Sequence, residues 1–223
     1  MKTIAIVSQK GGAGKTTVAL HVAVAADLAG LSVALIDMDP QATAETWSAW
    51  RKNDEHPAVV SAKAPTLTRT LEKAAKLGAD LVVIDTPPLA QAEASEAVRA
   101  ADLILIPCRP AAFDLHAVRM TARMAQSAGK PSFVMFNGGP PNAPNIYLQA
   151  AELVEQIGLA VAPVRLSDRS AFRAATNTGQ AAQEIEPKGK AAEETAALWQ
   201  WLAKSLELKT GKRAYALARK ETV

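Results

Sequence analysis

Gln9–Thr17 reads QKGGAGKTT, and its flanks decide how it is read. Before it stands TIAIVS (Thr3–Ser8), an apolar stretch rich in β-branched residues that predicts a buried strand. After it stands VALHVAVAADLAG (Val18–Gly30), which predicts a helix. Strand, glycine loop and helix in that order are the setting of a phosphate-binding loop. The general pattern, glycine, four residues, then Gly-Lys-Ser/Thr, is met loosely by KGGAGKT at Lys10–Thr16. Gly11, Gly12 and Gly14 let backbone N–H groups turn inward around phosphate oxygens. The helix that starts near Lys15 adds the positive end of its dipole. In this reading Lys15 neutralises the β and γ phosphates of ATP and the Thr16 hydroxyl holds Mg²⁺, with Ala13 and Thr17 completing the nucleotide-contacting run.

Two further strands end in carboxylates. LSVALIDMDPQATA (Leu31–Ala44) runs as a buried strand into Asp37 and Asp39, and Pro40 stops it. Carboxylates at such a position either serve nucleotide chemistry or cap the helix that follows. In ADLVVIDTPP (Ala79–Pro88) four apolar residues, Leu81–Ile84, deliver Asp85 at the strand's carboxyl end. After a phosphate loop, an aspartate there holds Mg²⁺ through water.

Outward from these motifs, strands and helices alternate with no repeat and no low-complexity segment. The pattern predicts strands over 3–8, 32–37, 58–61, 80–85, 103–107, 132–137 and 160–164. It predicts helices over 15–29, 42–52, 66–77, 91–100, 114–128, 146–157 and 190–206. Near-continuous apolar strands imply an α/β fold, a mainly parallel twisted sheet with helices on both faces and its ligand site beyond the carboxyl ends of the strands. The 223 residues suit one domain, expected over 1–208, with a basic tail over 209–223. No apolar stretch reaches the roughly 20 residues a membrane span needs, and Lys2 leads directly into a strand, so a cytoplasmic protein is expected. The single cysteine, Cys108, excludes an internal disulfide and a CxxC metal site, and reads as a buried thiol.

Lys10 is a second lysine that a simple phosphate loop does not need. The residue alone also fits a solvated surface charge. With it, QKGGAGKTT resembles the deviant Walker A motif of the ParA/MinD family of P-loop ATPases, closest to the short ParA-type partition proteins. That resemblance implies that Lys10 acts in trans, reaching the partner's ATP in a sandwich homodimer. The DxDPQ run at Asp37–Gln41 resembles the family's switch I. There Asp39 positions or deprotonates the attacking water and Asp37 lies near the metal shell. Asp85 resembles the Walker B aspartate, with Thr86, Pro87 and Pro88 as switch II. FVMFN ends in Asn137, matching a position where relatives bind adenine, although an ordinary loop asparagine fits too.

PVRLSD (Pro163–Asp168) resembles a motif of chromosomal ParA proteins whose arginine contacts DNA. That implies a DNA role for Arg165, with Arg169 and Arg173 near enough in sequence to share its surface; a solvated charged face is the alternative. Residues 204–223 carry six Lys or Arg against two Glu, net +4, leaving 19 basic and 20 acidic residues, net −1, elsewhere. Lys204, Lys209, Lys212, Arg213, Arg219 and Lys220 suit salt-sensitive attraction to DNA, or an unpartnered tail. After Asn137 the chain reads GGPPNAPN, where some DNA-binding relatives carry an arginine, and no helix-turn-helix precedes the loop.

The resemblance thus implies a nucleoid-associated ATPase. ATP drives it to dimerise, the dimer binds double-stranded DNA nonspecifically, and a ParB-like or other adaptor protein stimulates hydrolysis. Two other classes stand beside it. A MinD-like membrane switch would use Leu206, Leu208, Tyr215 and Leu217 as an amphipathic face, interrupted by Thr210 and Gly211, so a membrane partner is not expected. A ligase resembling dethiobiotin synthetase would lack a use for DxDPQ.

Overall fold

The computed structural model describes residues 1–51 and 56–209. Its strands are β1 (Lys2–Ile6), β2 (Val33–Asp37), β3 (Ala58–Ser61), β4 (Leu81–Asp85), β5 (Leu103–Cys108), β6 (Ser132–Gly139), β7 (Ala160–Val161) and β8 (Leu166–Ser167). Its helices are α1 (Lys15–Leu28), α2 (Thr43–Trp50), α3 (Leu67–Lys76), α4 (Gln91–Ala100), α5 (Ala112–Ala128), α6 (Pro144–Gln156), α7 (Ser170–Thr176), α8 (Ala182–Ile185) and α9 (Lys190–Ser205). The strands lie in the order β3-β2-β4-β1-β5-β6-β7, with β8 also on β6, and every pairing is parallel.

Side-chain alternation explains why helices cover both faces. Ile4 and Ile6 of β1 and Leu81 and Val83 of β4 pack into one core with α1, α2 and α7–α9. Ala5, Val82 and Ile84 point the other way, into a second core under α3–α6. A strand buried on both faces has no polar side to show, hence the unbroken apolar runs in the sequence. Helix α1 sits deepest, with Val18, Ala19, Val22, Ala23 and Ala26 fully buried between sheet and α9. Cys108 is buried as expected; its thiol donates to the Arg109 carbonyl at 3.1 Å, and burial pushes its pKa up to about 12.

The structure departs from the sequence pattern at the far edge of the sheet. The strand expected over 160–164 is cut to the two residues of β7, and a second short strand that was not expected, β8, follows at Leu166–Ser167; the two meet opposite ends of β6. Pro163 between them has no N–H to give a ladder. Helices α7 and α8 fall in a stretch where no element was expected. At seven and four residues they are too short to leave a period in the sequence. Residue 52, the expected end of α2, and the basic tail beyond Lys209 lie outside the described residues.

Candidate nucleotide site

Every expected nucleotide residue but Asn137 lies on or beside β1, β2 and β4, the strands whose carboxyl ends lie side by side. The loop leaves β1 at Ile6 and re-enters regular structure at Lys15. Gly14, at the turn into α1, has φ +85°, and a Cβ there would collide with the Asn137 amide. That amide donates to the Ala13 carbonyl at 2.8 Å, so Asn137 braces the loop from β6. Gly11 and Gly12 are exposed, Ala13 is buried, and Thr16 and Thr17 are half-buried.

Lys15 is 6% exposed although it carries a charge. Burial lowers its pKa, and the Asp85 and Asp39 charges pull the other way. Its ammonium donates to the Lys10 carbonyl at 3.4 Å, the longest hydrogen bond the loop makes. Lys10 is exposed and has no carboxylate partner among the described residues.

The three aspartates separate by their partners. Asp85 is fully buried, yet neither carboxylate oxygen has a hydrogen-bond partner among the described residues. Burial pushes its pKa up to about 7; the Thr16 hydroxyl favours the charged form without closing a hydrogen bond of ordinary geometry, and Asp37 opposes it. A buried carboxylate left unmatched in this way calls for a ligand. Asp37 is the opposite case. Its Oδ1 accepts from the Asp39 N–H at 2.9 Å and its Oδ2 from the Ala44 and Glu45 N–H groups at 2.9 and 3.3 Å. It therefore caps α2, with burial raising its pKa against those three bonds. Asp39 is half-buried, with Oδ1 accepting from the Gln41 N–H at 2.9 Å in an Asx turn. Among the described residues no three His, Cys, Asp or Glu side chains cluster closely enough to hold a metal alone. Asp85 and Thr16 together suit a cation that keeps its waters and takes phosphate oxygens as further ligands, as Mg²⁺ does.

Two side chains on the adjoining loops carry backbone strain that no motif revealed. Ala42, after Asp39, has φ +51°, and Leu89, after Pro88, has φ +55° while 80% exposed. Non-glycine residues in this region cost free energy and concentrate at segments that switch.

A clasp of side chains also escaped the sequence reading, because its halves lie some 130 residues apart. Arg51, just past α2, bonds Glu184 with both guanidinium nitrogens, at 2.9 and 2.7 Å, and the Gly179 carbonyl at 3.0 Å. The guanidinium lies 4.7 Å from the Trp47 ring centre, and the Trp47 indole donates to the Gln180 carbonyl at 3.1 Å. From α1, His21 joins the same segment: Nδ1–H donates to the Thr17 carbonyl at 2.7 Å and Nε2 accepts from the Ala182 N–H at 3.0 Å. Residues 179–184 thus tie the helix after Asp39 to the helix after the glycine loop.

His21 is held neutral there. Burial lowers its pKa from 6.5 to about 4, against the Thr17 carbonyl and the Glu184 charge. The unfolded chain takes up the proton first, so the stability His21 confers is complete above about pH 6.5 and lost as pH falls toward 4. Between pH 7 and pH 5 the loss is on the order of 2 kcal/mol. Urea midpoints at the two pH values will show a smaller acid loss in His21→Gln than in the wild type.

Of the three arginines expected to meet DNA, two are held in ion pairs. Arg169 gives Nε and Nη2 to Glu194 at 3.0 and 2.7 Å, and Arg173 pairs with Asp168 at 2.6 Å. Arg165, alone of the three, has no carboxylate partner among the described residues. Its guanidinium lies 4.1 Å from the centre of the Tyr147 ring and its Nη2 donates weakly to the Pro141 carbonyl at 3.5 Å.

Known proteins resemble this chain in sequence and in fold. It is 29% identical over 199 residues to the Maintenance of carboxysome distribution protein A of Halothiobacillus neapolitanus, covering 85% of this chain and 90% of that protein. It is 31% identical over 117 residues to Protein ParA of Rhizobium radiobacter, 51% of each chain. The cell division ATPase MinD of Pyrococcus furiosus superposes with a TM-score of 0.73 at 21% identity, over 92% of this chain and 99% of that one, and so shares its fold. Residues 4–182 match the CobQ/CobB/MinD/ParA nucleotide binding domain, and the chain belongs to that family.

Proposed function

We propose that this protein is an ATP-driven positioning switch. Mg²⁺–ATP joins two copies into a sandwich dimer, the dimer binds double-stranded DNA without sequence preference, and an adaptor protein triggers hydrolysis and release. The observation that carries the reading is the unmatched, buried Asp85 carboxylate standing beside Thr16 and the buried Lys15 at the end of a glycine loop.

Each residue has a role in this reading. The loop N–H groups and Lys15 hold the phosphates. Thr16 and Asp85 hold Mg²⁺, which when bound offsets phosphate charge. Asp39 orients the attacking water, and Asp37 keeps the Asp39 loop and α2 in register from behind. Lys10, exposed beside the site, reaches the partner's nucleotide. Asn137 fixes the loop and faces the nucleoside. Residues 1–208 act as the folded ATPase unit.

For cargo, two relatives are named for carboxysome distribution, one of them matching 85% of the chain, and this supports positioning of a protein body. The membrane-switch reading loses two of its four apolar residues: Leu206 is buried in the core and Leu208 packs against it. Its other two, Tyr215 and Leu217, lie outside the described residues, as do Lys212, Arg213, Arg219 and Lys220.

For DNA, Arg165 is the contact of choice. Its stack on Tyr147 fixes the guanidinium plane before binding, whereas Arg169 and Arg173 would first have to break ion pairs. Fluorescence polarisation with a random-sequence duplex tests this in the presence of Mg²⁺–ATP. Arg165→Glu will abolish binding at physiological salt while leaving ATP-dependent dimerisation intact. Arg165→Ala will lower the salt slope by about two, one phosphate contact per subunit. Unchanged binding by Arg165→Glu contradicts the assignment.

A further inference from the structure

The chemistry that holds the phosphates leaves the nucleoside side of the site unassigned except for Asn137. Sheet order fixes where a nucleoside must go. On one side of β1 stand β4 and β2 with Asp85, Asp37 and Asp39; on the other stand β5 and β6. A nucleotide whose phosphates lie in the loop therefore extends its base toward β5 and β6, away from the carboxylates.

Arg109 waits on that side. In the β5–β6 register Cys108 faces Phe136, so Arg109 is level with Asn137, the residue bonded to the loop at Ala13. The Arg109 side chain runs across Gly138, with Nε and Cγ 3.8 and 4.0 Å from the point a Cβ would occupy. Gly138 has φ +67° and is exposed, and as a glycine it places no side chain of its own at this contact. The backbone under Arg109 is fixed: its carbonyl accepts from the Ala111 N–H at 2.8 Å and from the Cys108 thiol at 3.1 Å. Next to it, Pro110 and Tyr147 close over Gly139, where a Cβ would meet them at 2.6 and 2.5 Å. Arg109 is exposed and has no carboxylate partner among the described residues, unlike Arg51, Arg99, Arg169 and Arg173.

We propose that Arg109 is a base-binding residue of this site, its planar guanidinium stacking on the purine of the nucleotide whose phosphates the glycine loop holds. The proposal rests on the reading of Gln9–Thr17 as the phosphate loop. A guanidinium attracts an aromatic face through charge and through its own flat surface, and an ammonium supplies only the first.

Calorimetric titration of the full chain with Mg²⁺–ADP and, separately, with inorganic tripolyphosphate separates base from phosphate. Arg109→Ala will weaken ADP binding about 3- to 10-fold and change tripolyphosphate binding less than about 2-fold, since no phosphate contact is lost. Arg109→Lys will recover only part of the ADP loss. Unchanged ADP affinity in Arg109→Ala overturns the proposal, and so does an equal loss for both ligands, which would make Arg109 a phosphate contact. Failure of the wild type to bind either ligand would instead overturn the phosphate-loop reading, and this proposal with it.

Discussion

Lys15→Ala will abolish nucleotide binding, lowering affinity roughly 100-fold or more, whereas Lys10→Ala will bind ATP nearly as the wild type does and fail afterwards. The difference lies in where the two ammonium groups stand. Lys15 is already desolvated, with its pKa lowered by burial against the Asp85 and Asp39 charges, and among the described residues the Lys10 carbonyl at 3.4 Å is its one hydrogen-bond partner. Phosphate oxygens would replace that long bond with short charge-assisted ones, so the desolvation is spent before the ligand arrives. Lys10 is exposed with no carboxylate partner among the described residues, a condition that suits a side chain whose partner is on another molecule. Its loss should remove ATP-dependent dimerisation and adaptor-stimulated turnover. Titration with ATP and sedimentation in its presence measure the two steps separately; equal loss of binding in both variants would refute the trans role.

Asp39→Ala will still bind ATP and dimerise but hydrolyse about 10²- to 10⁴-fold more slowly, trapping the DNA-bound state. Asp39 has one oxygen tied to the Gln41 N–H and the other without a hydrogen-bond partner among the described residues, so it has an acceptor to offer a water. Removing such a group costs the transition state more than the ground state. Asp85→Ala should differ in kind. It removes the buried, unmatched carboxylate and with it metal affinity, so activity should respond to added Mg²⁺ where that of Asp39→Ala will not. Single-turnover hydrolysis over a range of Mg²⁺ concentrations distinguishes them, and wild-type turnover by Asp39→Ala would remove it from the site.

Local patterns were legible and pairings were not. β1, the glycine loop and α1 follow from apolar runs and glycines that act on their own neighbours, and β2 and β4 each deliver a carboxylate by the same logic. For Asp37 the sequence left metal and cap open, because both ask for an acidic residue after a strand; three backbone N–H bonds show the cap in use. Arg169 reads as basic because Glu194, which matches it, is 25 residues away and joined to it only by the fold, whereas Asp168, the partner of Arg173, stands five residues off in the quoted motif and the sequence reading leaves it unpaired. The clasp formed by Arg51, Trp47, His21 and residues 179–184 is a long-range contact without a period or motif. Ala42 and Leu89 take left-handed backbone that neither residue type advertises.

The central claim is that ATP, and not ADP, joins two copies through Lys10. Analytical sedimentation of the Asp39→Ala protein tests it most directly, because hydrolysis no longer erases the ATP state. The account predicts a dimer with Mg²⁺–ATP, a monomer with Mg²⁺–ADP, and a monomer again with Mg²⁺–ATP once Lys10→Ala is added. A monomer at saturating ATP, or a dimer whatever the nucleotide, would contradict it.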